Sequence, residues 1–166
     1  MITNEVIELS VDDVFAKNHI DYILTVPCSI ISTCFKESSL FETIYLSREE
    51  EGVGIASGLT VSGKKAVMMI QNSGFGNCIN AIASLTIPYN ISFIIIITLR
   101  GDEYEDNPVQ VPMGEATKKL VQAIDCDFYE VSKQNSFDQC FKSALADTVN
   151  ATKPIFILLP RLEALS

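Results

Sequence analysis

The sequence predicts an α/β domain: a single, doubly wound, parallel six-stranded sheet with helices on both faces. Helix-like and strand-like stretches alternate six times along the 166 residues. The strand-like stretches are apolar and are bounded by amphipathic or turn-ended helices, the pattern of a sheet covered on both sides. No internal repeat, low-complexity tract or linker divides the chain, so residues 1–166 read as one domain.

Each element has its own signal. Glu5–Asn18 places Val6, Leu9, Val14 and Phe15 on one helical face. Asp21–Val26 reads as a short strand. Pro27-Cys28-Ser29 is a turn, with Ser29 the expected cap of a helix through Phe35. Glu42–Leu46 is a second strand, and Glu50–Ser62 a helix stopped by Gly63. Lys65–Gln71 is a third strand. It leads into a polar, glycine-rich turn, Asn72–Asn77, and a helix from Cys78 to Thr86. Ser92–Leu99 is a fourth strand, followed by a polar loop, Gly101–Pro112, long for a connection in such a domain. Gly114–Ile124 and Ser136–Asn150 read as helices. Asp127–Val131 and Pro154–Leu159 read as the last two strands. In an open parallel sheet the ligand crevice lies at the carboxyl ends of the strands. That draws attention to Pro27–Ser29, Ser47–Glu51, Asn72–Asn77 and the 101–112 loop.

Composition removes several classes of function. The net charge of −9 and the lack of any basic cluster argue against nucleic acid. The apolar run Ile91–Leu99 is far short of the roughly 20 residues that span a bilayer, so no membrane segment is expected. Met1–Glu8 is polar and acidic, unlike a secretory leader. Cys28, Cys34, Cys78, Cys126 and Cys140 are odd in number and form no CxxC pair, which argues against zinc and disulfide frameworks and for reduced thiols in the cytoplasm. His19 is the only histidine and sits in a surface connection, so no histidine-based triad or metal cluster is available. No metal ligand is expected from this chain. An enzyme of this composition borrows its acid–base chemistry from a cofactor.

Glu49, Glu50 and Glu51 stand at a strand-to-helix junction. Carboxylates suit a helix amino end electrostatically, but that does not explain a glutamate at the mouth of the crevice. The helix that follows carries Gly52, Gly54 and Gly58. Their spacing inside a helix does not match a dinucleotide-binding turn, and reads instead as close packing. Asn72–Asn77 lacks the lysine of a phosphate loop but offers small polar groups and backbone N–H donors at a helix start.

Ser47-Arg48-Glu49-Glu50-Glu51-Gly52, with Ala66–Ile70 and Gln71-Asn72-Ser73-Gly74-Phe75-Gly76-Asn77, resembles the pyrimidine-binding domain of thiamine-diphosphate-dependent 2-oxo acid decarboxylases. The likeness is closest to sulfopyruvate and phosphonopyruvate decarboxylases. Val26-Pro27-Cys28-Ser29 and Gln110-Val111-Pro112-Met113-Gly114 extend it, so that it runs from near residue 5 to near residue 160. The resemblance implies that Glu49, nine residues before Gly58, pairs with N1′ of the aminopyrimidine and is the catalytic residue. It implies cofactor contacts from Glu49, Asn72, Ser73 and Gly74, and substrate contacts from Pro27, Cys28, Ser29, Gln110 and Met113. Arg48 and Arg100 are further candidates for the anionic head of a small 2-oxo acid.

The family also needs a Gly-Asp-Gly motif to hold Mg²⁺ and the diphosphate, and this chain has none. The resemblance therefore implies a separate diphosphate-binding beta subunit and self-association within a hetero-oligomer. Within the resemblance, Cys28 stands where phosphonopyruvate decarboxylases tend to have aspartate, which favours sulfopyruvate, the coenzyme M precursor, as the substrate that would give sulfoacetaldehyde and CO2. Phosphonopyruvate, or a non-catalytic domain that kept the fold, are the alternatives.

Overall fold

A computed structural model describes residues 10–36, 38–103 and 105–161. Its elements are α1 (Val11–Lys17), β1 (Tyr22–Thr25), α2 (Ser29–Cys34), β2 (Glu42–Tyr45), α3 (Glu49–Val61), β3 (Ala66–Gln71), α4 (Asn72–Ala81), β4 (Ile94–Thr98), α5 (Val111–Ala123), β5 (Phe128–Glu130), α6 (Phe137–Asp147) and β6 (Ile155–Leu159). A π-helical turn, Ile82–Thr86, prolongs α4, and a 3₁₀ turn, Pro108–Gln110, precedes α5.

The apolar runs make the centre of the sheet. All strand pairs are parallel, in the order β2-β1-β3-β4-β6-β5. In β4 and β6 every residue is buried, because side chains alternate between two covered faces. Ile23, Val67, Met69, Ile96 and Ile157 meet Val14, Phe15, Ile31, Phe137 and Phe141 of α1, α2 and α6. Leu24, Met68, Ile70, Ile95, Ile97 and Phe156 meet Val53, Ala56, Phe75, Cys78 and Val121 of α3, α4 and α5. Phe15 anchors the first face, with four phenylalanine rings centred 5.4–6.3 Å away.

The strand order follows from handedness. The β1-to-β2 and β5-to-β6 connections run toward one edge of the sheet, and the other three run toward the opposite edge. Right-handed crossovers then put α2 and α6 on one face and α3, α4 and α5 on the other. The direction reverses between neighbours β1 and β3, which opens the crevice between the loops that leave their carboxyl ends.

Boundaries differ from the sequence reading in four places. Ser10 caps α1 by accepting the Asp13 N–H, so the helix begins at Val11, and residues 5–9 lie outside the described residues. Cys28, not Ser29, caps α2: its Sγ accepts from the Ile31 N–H at 3.5 Å. Asn72–Asn77 is not a turn but the first part of α4. Burial of Phe75 and Cys78 in the α3/α4/α5 core outweighs the poor helix propensity of two glycines and two asparagines. The long loop closes earlier than Pro112, because Pro108 starts the 3₁₀ turn that runs into α5. His19 is exposed, as expected.

Candidate functional site

Four loops converge at the carboxyl edge of the sheet. Val26–Cys28 leaves β1, Leu46–Arg48 leaves β2, Gln71 closes β3, and residues 99–107 leave β4.

Glu49 is the first residue of α3. Arg48 before it is extended (φ −148°, ψ 146°), so the helix starts abruptly where the strand-end loop meets the crevice. Glu49, Glu50 and Glu51 fill the first turn, where the helix dipole favours carboxylates. Arg48 pairs with Glu50 at 2.9 Å, but its side chain is 69% exposed, so the pair adds little. The half-buried Glu49 side chain lies across Gly74 of α4: a Cβ built on Gly74 would stand 2.1 Å from Glu49 Oε1. Cys78, one turn further along α4, has its thiol pushed up to about 12 by burial, with the charges of Glu49 and Glu50 adding to the effect. The Glu49 carboxyl therefore sits at the junction of the first turns of α3 and α4.

The amino end of α4 has no side-chain cap. Ser73 is exposed there and accepts a hydrogen bond from Gln71 Nε2 at 2.8 Å. Gln71 also reaches Gln110 Oε1 at 3.5 Å, so β3, α4 and the 3₁₀ turn meet at this point. The Asn72 side chain is held within the fold. It is fully buried, its Nδ2 donates to the Arg100 carbonyl at 2.9 Å and to Thr117 Oγ1 at 3.3 Å, and its Oδ1 accepts from the Arg100 N–H at 3.3 Å. The amide brackets β4 and α5 onto α4.

Pro27 and Ser29 are exposed at the β1 end, and Cys28 is half-buried between them. Met113 packs beside Gly76, with its Cε 3.4 Å from the position of a Cβ there. Both candidate arginines carry an ion pair in this arrangement. Arg48 is on the surface, and Arg100 is occupied by Glu105.

Glu105 organises the 99–107 loop and was not distinguishable in the sequence from its acidic neighbours. Its side chain is inaccessible. It accepts from Arg100 Nε at 2.6 Å, from Arg100 Nη2, and from the Gly101 and Asn107 N–H groups, each at 3.0 Å. Arg161 Nη1 stands 3.6 Å away. Hydrogen bonding from Arg100, helped by the Asn107 and Gly101 N–H groups, holds the Glu105 carboxyl well below its ordinary value of 4.5 against the opposing effect of burial. A carboxyl depressed in the folded state stabilises the fold above its unfolded pKa and loses that contribution as pH falls below it. Glu105→Gln should therefore lower the thermal midpoint at neutral pH, and the gap from wild type should narrow below about pH 4. Thermal scans of both proteins across pH check this, and a gap independent of pH would contradict it.

Comparison with known proteins adds the following. No family model matches the chain. It is 36% identical over 146 residues to the sulfopyruvate decarboxylase subunit alpha of Methanococcus maripaludis, covering 86% of this chain and 87% of that one. It is 34% identical over 157 residues to the subunit of the same name from Methanocaldococcus jannaschii, covering 93% of each. The phosphonopyruvate decarboxylase of Streptomyces viridochromogenes is 30% identical over 141 residues, and the match covers 82% of this chain and 36% of that one. Among solved structures, a thiamin-diphosphate-dependent enzyme of Mycobacterium smegmatis superposes with a TM-score of 0.72 at 18% identity, over 95% of this chain. The chain spans 31% of that protein's length. The fold is thus that of thiamine-diphosphate enzymes, and by its relatives the chain belongs to the family of sulfopyruvate decarboxylase alpha subunits.

Proposed function

We propose that this chain is the pyrimidine-binding subunit of a thiamine-diphosphate-dependent decarboxylase acting on sulfopyruvate in the cytoplasm. The observation that carries the reading is the placement of Glu49. A carboxyl stands at the carboxyl edge of the sheet, at an uncapped helix start, half-buried and laid on backbone rather than on another side chain. That arrangement fits the cofactor, because a carboxyl fixed there can exchange a proton with a ring nitrogen entering the crevice. When bound, thiamine diphosphate supplies the electron sink for loss of CO2.

The chain's own residues do the rest. Glu49 holds the proton at the ring nitrogen. Ser73 and the free N–H groups of the first turn of α4 face the same crevice and favour negative charge. Pro27, Cys28 and Ser29 wall the β1 side, and Gln110, steadied by Gln71, closes the β4 side. Sulfopyruvate rather than phosphonopyruvate is supported by the greater identity to the sulfopyruvate enzymes.

A beta subunit holding Mg²⁺ and the diphosphate is supported by the relatives' being named alpha subunits. A cytoplasmic setting accords with five unpaired cysteines, at Cys28, Cys34, Cys78, Cys126 and Cys140. Among the described residues no helix is long and apolar enough to cross a membrane.

Calorimetric titration of thiamine diphosphate with Mg²⁺ tests the arrangement. Saturable binding is expected for the chain assembled with its diphosphate-binding partner, and little or none for the chain alone. An assembled complex that binds no thiamine diphosphate would favour a non-catalytic domain.

A further inference from the structure

We infer that Gly74 is a positioning residue: the space left by its missing side chain is the seat of the Glu49 carboxyl and sets the direction in which that carboxyl enters the crevice. This role rests on the reading of Glu49 as the cofactor's proton partner.

A Cβ on Gly74 would lie 2.1 Å from Glu49 Oε1, 2.2 Å from Cδ and 2.4 Å from Cγ. The whole outer part of the side chain, not one oxygen, is laid across the Gly74 backbone. Backbone conformation does not explain the glycine. Gly74 lies inside α4, and the glycines with positive φ among the described residues are Gly63 and Gly101. Helix propensity argues against it, since alanine is the better helix former. The helix is held against moving aside by Phe75, fully buried with its ring 5.3 Å from that of Phe156. What remains is the need of Glu49 for the space.

The contact also predicts how a substitution would fail. At Gly101 and Gly114 an added Cβ would strike backbone atoms at 2.5 Å. At Gly74 the three nearest atoms, Oε1, Cδ and Cγ, all belong to the flexible Glu49 side chain. The Gly74→Ala substitution can therefore be accommodated by rotating Glu49 away, which spares the fold and removes the carboxyl from its place. Displacement of a reacting group by about 1 Å can lower a rate by about 10²-fold.

The test uses the assembled enzyme carrying Gly74→Ala, Glu49→Asp, both together, and Glu49→Gln. Gly74→Ala should lower kcat by about 10²-fold while the thermal midpoint holds or rises, and a crystal structure of the variant should show the Glu49 side chain in a different rotamer. Gly74→Ala already takes the Glu49 carboxyl from its place, so Glu49→Asp, which also moves the carboxyl, has less left to lose in that background. Its loss of activity should therefore be much smaller when combined with Gly74→Ala than in wild type, a non-additivity that marks direct coupling. Near-wild-type activity of Gly74→Ala, with Glu49→Gln inactive, would overturn the role of Gly74 and leave that of Glu49 standing. A lowered midpoint with strictly additive losses would also overturn it, making Gly74 a packing residue. Full activity of Glu49→Gln would instead remove the reading on which the role depends.

Discussion

Glu49→Gln is expected to lower decarboxylation by the assembled enzyme about 10²–10⁴-fold, the usual loss when a positioned acid–base group is removed. The substitution keeps the shape of the side chain and its place over Gly74. It removes the charge, and with it the ability to exchange a proton. Glu49 is half-buried and has no ion pair among those found in the described residues. The stability change should therefore stay within about 0.5 kcal/mol. A steady-state assay paired with a thermal scan separates the two effects. A variant that keeps its activity would show that the carboxyl is merely an amino-end charge on α3, as its neighbours Glu50 and Glu51 are.

Gly101→Ala has the largest expected effect on the fold. Gly101 has φ +91°, a conformation that costs an ordinary residue about 1–2 kcal/mol. An added Cβ would also approach the Gln110 carbonyl at 2.5 Å and the Cα atoms of Gly114 and Val111 at 3.0 Å. None of these backbone atoms can rotate away, and such overpacking costs about 1–3 kcal/mol more. The midpoint should fall by about 5–15 °C for a chain of this size. Activity should fall with it, because the close approach of Gly101 to Gly114 holds Gln110 and Met113 over the start of α4. Calorimetry measures the first effect and kcat the second. An unchanged midpoint would mean that the 99–107 loop is held by Glu105 alone.

The central strands were readable because burial on both faces demands unbroken apolar runs, and Ala66–Ile70, Ile94–Ile97 and Ile155–Leu159 are such runs. Their spatial order was not readable. It depends on crossovers between distant segments, and nothing local in β5 announces that it joins the outer edge of β6. The stretch Asn72–Asn77 looked like a turn because its propensities are those of a turn. It is helical because tertiary burial of Phe75 and Cys78 wins over propensity.

At the site, Glu49 stood out by its place at a strand end. The chemistry assigned to it came from the resemblance of its surroundings to a known domain. Asn72 lies in the same motif, yet its amide faces inward to Arg100 and Thr117, which local sequence does not reveal. Glu105 was invisible for a related reason. Glu103, Glu105 and Asp106 are equivalent as sequence, and only the folded loop brings one of them between Arg100 and Arg161.

The most direct test of the central claim is CO2 release from sulfopyruvate by the chain assembled with its diphosphate-binding partner, with and without thiamine diphosphate and Mg²⁺. Decarboxylation that requires the cofactor, and that is faster with sulfopyruvate than with phosphonopyruvate, is the predicted result. Cofactor bound to the complex with no decarboxylation of either substrate would contradict it.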